Sequence, residues 1–136
     1  CVLSCWMQNF TLNASMANMV DLVRIVDFYC TAMEMLKLCE QRYSIDIYPI
    51  RYEDLVIDFK ETISNLMNFL ELSWEDRLIG YQKTALSRAK INTPSYSQVV
   101  KPIYETAAYR WKKYENHLQP HKTKLARWIN EFGYDV

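Results

Sequence analysis

Two glycines and four prolines are all the strong backbone punctuation that 136 residues contain, and this scarcity limits the fold more than any other feature. A many-stranded β fold needs a tight turn every few residues, and glycine and proline supply most of those turns. Too few are present here. Half of the residues are apolar, which is enough to build a core and argues against disorder. Long helices are the arrangement that remains. The same scarcity excludes a glycine-rich phosphate cradle within this chain.

Apolar spacing locates the elements. Val2, Leu3, Trp6, Met7 and Phe10 form one stripe on a helix over 1–13. Asp21 caps a long helix reaching about Arg42, on which Leu22, Ile25, Val26, Tyr29, Met33, Leu36 and Leu38 make a face wide enough for burial on more than one side. Asp46-Ile47-Tyr48-Pro49-Ile50-Arg51-Tyr52 is the one predicted strand, for its isoleucine and tyrosine content and partial alternation. Asp58 and Glu61 form a capping box that opens a helix to about Leu70. A further helix is predicted from Ser73–Asp76 to about Ser87, a loop over 88–104, and another helix near Glu105–Tyr114. Pro120 suits the first turn of a last helix ending at Gly133. The reading is mainly α, with about six helices and one strand near 46–52, in a single partial domain over 1–136. A lone strand leaves backbone donors and acceptors unsatisfied. A partner is therefore expected: the segment pairs with another copy, stays an irregular extended segment or is exposed, and a homodimer through the strand or an exposed core is one of these outcomes.

Net formal charge is zero, but it is unevenly placed. Residues 1–89 carry eight Lys/Arg against twelve Asp/Glu, and residues 90–136 carry eight against four. A basic final third suits an anionic ligand, and a solvated helix face explains it equally well. Nucleic acid is a poor partner, because no basic run extends beyond Lys112-Lys113. Cys1, Cys5, Cys30 and Cys39 lack the spacing of a zinc site, and His117 and His121 lie far from them. Cys30 and Cys39, on apolar helical stretches, are expected to be buried thiols in a reducing, cytoplasmic setting. No apolar run is long enough to span a bilayer, so no membrane association is expected.

Three segments carry a resemblance. Arg51-Tyr52-Glu53-Asp54-Leu55 follows the predicted strand, and Phe69-Leu70-Glu71-Leu72 closes the amphipathic helix after it. Ser95-Tyr96-Ser97-Gln98-Val99-Val100-Lys101-Pro102 then precedes Arg110-Trp111. In order and spacing these resemble sulfotransferases that use 3′-phosphoadenosine 5′-phosphosulfate, of the tyrosylprotein type and the related bacterial enzymes fused to tetratricopeptide repeats.

The resemblance implies the C-terminal portion of an α/β P-loop-like fold, with the phosphosulfate loop and the acceptor-activating base outside this chain. It also implies weak or absent binding of adenosine 3′,5′-bisphosphate and no turnover by these residues alone. Ser4, at the end of Cys1-Val2-Leu3-Ser4, matches the family serine at the 3′-phosphate. Tyr52 matches a tyrosine that packs and hydrogen-bonds near the adenine. Ser95 matches a serine near the phosphosulfate, and Arg110 a basic residue on the same side. Gln8 replaces an arginine of the tyrosylprotein enzymes, which weakens or removes that contact. The implied acceptor is a hydroxyl-bearing molecule of unspecified class.

The residue types are reasonable without the resemblance. An arginine fork matches phosphate oxygens, and fixed donors stabilise charge that shifts onto a leaving phosphate. Each residue also has a plainer role. Ser4 is a small residue on an apolar helix, Tyr52 a core aromatic, Ser95 a turn hydroxyl after Pro94, and Arg110 a partner for Trp111 or a solvated cation. Glu53 and Asp54 are adjacent, so their side chains point apart, and both read as turn or capping residues. The alternative function is a non-catalytic helical interaction or dimerisation module.

Overall fold

The computed structural model describes residues 1–11, 13–87 and 100–134. Their α-helices are α1 (Val2–Trp6), α2 (Leu22–Tyr43), α3 (Tyr52–Ile57), α4 (Phe59–Phe69), α5 (Tyr81–Ser87), α6 (Glu115–Leu118) and α7 (Lys122–Glu131), with short 3-10 turns between them. Among the described residues there is no strand. Contacts divide the chain into two compact units, one of Cys1–Ile47 with Trp111–Val136 and one of Tyr48–Arg110.

The first unit is built on α2. Asp21 caps it, with backbone extended at φ −141° and ψ 153° and its carboxylate accepting the Arg24 N–H at 3.0 Å. Ile25, Val26 and Cys30 are the buried positions of α2. They meet Val2 of α1 and Leu125 and Trp128 of α7, and Met33, Tyr29 and Phe132 pack around them. The i, i+3, i+4 stripe identified in the sequence thus faces one core. Lys37 bridges α2 to Glu131 of α7 at 2.6 Å, and Lys124 of α7 pairs with Asp27. The opposite side of α2 stays exposed at Phe28, Met35 and Leu38, so the wide apolar face is buried on one side within this structure.

The second unit starts from two successive helix starts. Asp58 caps α4 by accepting the Glu61 N–H at 2.8 Å, as the capping box predicts. Thr62 on α4 donates to the Asp54 carbonyl of α3 at 3.2 Å, which holds the two helices at their corner. The Phe59 ring meets Tyr81 of α5 at 6.3 Å, and Tyr48 meets Phe69 at 5.2 Å.

Both α4 and α7 end in a Schellman motif. At α7 the N–H groups of Gly133 and Tyr134 return to Asn130 and Ile129 at 3.1 and 3.0 Å, with Gly133 at φ 66°. Glycine is the residue that takes this left-handed position without steric cost. At α4 the same two bonds run from Glu71 to Asn68 and from Leu72 to Met67, at 3.1 and 2.9 Å. There the left-handed residue is Glu71, at φ 55°.

The strand near 46–52 is a correction. Residues 45–51 have no regular secondary structure, and Tyr52, expected to end a strand, is the first residue of α3. Pro49 brings no N–H to a ladder, and no described segment forms one with these residues. Glu53 and Asp54 meanwhile favour a helix start, where carboxylates meet the positive end of the dipole. With every regular element of the described residues helical, the expected α/β P-loop-like portion is overturned as well.

Other boundaries also move. The helix predicted over 1–13 shortens to α1, and the one near Glu105–Tyr114 is two 3-10 turns, Glu105–Ala107 and Arg110–Tyr114. Tyr109, at φ 50°, separates them. No described helix is long and apolar enough to cross a membrane.

Candidate functional site

The second unit holds two of the four residues singled out by the sequence. Arg51 is the extended N-cap of α3, at φ −85° and ψ 138°, and Tyr52 follows as the first helical residue. Tyr52 is half-buried, and its hydroxyl donates to the Tyr104 carbonyl. Glu53, the next residue, is 6% exposed, and its Oε1 accepts the Tyr109 N–H at 3.4 Å. Consecutive side chains of α3 therefore grip both ends of one short segment.

That segment is tightly turned. Glu105–Ala107 is a 3-10 turn, Ala108 has φ −59° and ψ 131°, and Tyr109 has φ 50°. A residue near −60°, 120° followed by one at positive φ is the central pair of a type II turn, whose second position favours glycine or asparagine. Tyrosine is strained there. Arg110 comes immediately after the turn, half-buried, at the head of its own 3-10 turn.

The two family-matched residues are electrostatically coupled. Burial pushes the Tyr52 phenol above its usual range, and the negative charge that Tyr104 and Glu53 carry when ionised adds to the rise. The Arg110 guanidinium acts in the opposite direction. Tyr52 and Arg110 belong to the same unit.

Ser4 lies elsewhere. It is exposed on α1, away from the buried Val2 and Leu3, and belongs to the first unit. Ser95 lies outside the described residues. Two open hollows of about 360 and 300 Å³ border α2, the first lined by Arg24, Asp27 and Phe28 and the second by Lys37, Leu38 and Arg127. Neither is lined by Ser4, Tyr52 or Arg110. Among the described residues no group of His, Cys, Asp or Glu is placed to hold a metal ion.

Glu53 is the residue that sequence reasoning misjudged. Asp54 is exposed and belongs to the first turn of α3, close to the expected capping role. Its neighbour is instead a buried carboxylate holding a backbone N–H 56 positions away. Reading 52–57 as a helix would have placed Glu53 one turn before the half-buried Val56. Nothing local identifies its distant partner.

The residues can be tested against the nucleotide that the resemblance implies. The Tyr52 hydroxyl is already committed to Tyr104, so its ring face is what it offers an adenine. Arg110 offers a fork suited to one phosphate. The Glu53 carboxyl group is buried, with one oxygen on the Tyr109 N–H. A nucleoside and a single phosphate fit this set, while the second anionic group has no holder among Tyr52, Glu53 and Arg110.

No known family model matches the chain, and no solved structure matches it. An uncharacterized protein of Aquifex aeolicus (strain VF5) is 39% identical over 74 residues, a stretch that is 54% of this chain. The match spans 9% of that relative's length.

Proposed function

We propose that the chain contributes the adenosine-facing part of a sulfotransferase that moves a sulfuryl group from 3′-phosphoadenosine 5′-phosphosulfate to a hydroxyl-bearing acceptor. One observation carries the reading. Tyr52 and Arg110, both matched to nucleotide contacts by the one resemblance, lie in the same unit, where the Tyr52 hydroxyl holds the Tyr104 carbonyl six residues before Arg110. The order of the segments from Arg51 to Arg110 supports it further. When bound, the nucleotide supplies the sulfuryl group and a phosphate that takes up negative charge as the group departs.

The chain's own residues have limited roles in this reading. Tyr52 presents a ring face to the base, and Arg110 binds and orients phosphate oxygens. Four free cysteines accord with a reducing, cytoplasmic setting.

Calorimetric titration of the full chain with adenosine 3′,5′-bisphosphate tests the proposal. Binding weakened by about tenfold or more in Arg110→Ala is expected, because a charged hydrogen bond contributes about 1.5–3 kcal/mol. A silent titration of the unsubstituted chain contradicts the binding roles given to Tyr52 and Arg110.

A second reading, a helical module that pairs with another copy of itself, rests on the exposed side of α2. There Phe28 is 39%, Met35 59% and Leu38 60% exposed, an apolar set on the side of the helix away from the core. A silent titration together with a concentration-dependent dimer in sedimentation favours this second reading.

A further inference from the structure

We infer that Glu53 is a positioning residue, which aims Arg110 at its anionic ligand by fixing the left-handed turn at Tyr109. The inference rests on the nucleotide-binding reading and extends it to a residue that the resemblance does not assign. Arg110 makes the ionic contact in that reading, and its direction is set by the backbone immediately before it. That backbone is strained, since Tyr109 sits at φ 50° where a side chain is disfavoured. Strained positions persist when their surroundings over-determine them. The first two residues of α3 are among those surroundings. The Tyr52 hydroxyl holds the Tyr104 carbonyl, and the buried Glu53 carboxylate holds the Tyr109 N–H at 3.4 Å. Residues 104–109 are closed between these two points, and Arg110 leaves the second of them.

The sign of the effect separates positioning from charge. A carboxylate near an anion site repels the anion, so electrostatics alone predicts that Glu53→Gln tightens binding. Positioning predicts the reverse. Glutamine is a weaker acceptor than an ionised carboxylate, the turn loosens, and Arg110 loses its direction.

The test is calorimetric titration with adenosine 3′,5′-bisphosphate of the full chain and of Glu53→Gln, Glu53→Asp, Arg110→Ala and Glu53→Gln/Arg110→Ala, with folding checked by circular dichroism. Glu53→Gln is expected to weaken binding about tenfold. It should have little further effect once Arg110 is removed, the non-additivity of two residues acting as a unit. Glu53→Asp keeps the charge but withdraws the oxygen, so it also weakens binding, and it decides the matter if the glutamine variant fails to fold. Unchanged or tighter binding in the folded variants overturns the inference while leaving the nucleotide reading intact. So does a loss that persists undiminished in the Arg110→Ala background. No binding by the unsubstituted chain overturns the nucleotide reading, and the role of Glu53 with it.

Discussion

At the scale of single residues, the chemistry gathers at the start of α3. Tyr52 combines a half-buried ring, a hydroxyl committed to Tyr104 and a phenol held above its usual range. The consequence for pH has a definite sign. A phenol whose folded value is raised keeps its proton longer in the folded state than in the unfolded chain. Its contribution to stability is fully present below the unfolded value of 10.0 and is lost as the pH rises through the folded one. Burial shifts Tyr29 in the same direction. Tyr52→Phe is therefore expected to cost about 1 kcal/mol at neutral pH, through the lost bond to Tyr104. It should also flatten the alkaline fall in stability. Urea unfolding midpoints on either side of pH 10.0 measure both effects, and an alkaline limb unaltered by the substitution contradicts the assignment.

Helices show most directly which parts of this structure are legible from sequence. Asp21, Asp58 and Gly133 each do what their residue type does locally: two carboxylates cap helix starts, and a glycine takes the left-handed stop of α7. Glu71 performs the same stop for α4 with a side chain in the way. Glu71→Gly is accordingly expected to stabilise the protein by about 1 kcal/mol, read as a higher urea midpoint at unchanged slope. A lower midpoint would mean that the Glu71 side chain makes a contact worth more than the strain.

The segment 46–52 failed to be legible for the opposite reason. Isoleucine, tyrosine and alternation describe an extended backbone, and an extended backbone becomes a strand only when a second segment completes the ladder. That second segment is not a local property of the sequence. Glu53 escaped for the same reason, because its burial depends on a backbone N–H 56 positions away.

On the scale of the whole molecule, the described residues are all-helical in their regular structure and form two compact units, each with its own packing. Of the four residues taken from the resemblance, Tyr52 and Arg110 share a unit, Ser4 belongs to the other, and Ser95 is outside the described residues. The proposed function therefore requires that the face bounded by Tyr52, Glu53 and the turn before Arg110 receive a phosphorylated adenosine. Hydrogen exchange of the full chain with and without adenosine 3′,5′-bisphosphate tests it most directly. Slower exchange at Tyr52–Glu53 and over residues 104–110, abolished by Arg110→Ala, is the predicted result. Exchange there that the nucleotide leaves unchanged, or protection confined to α2 and α7, contradicts it.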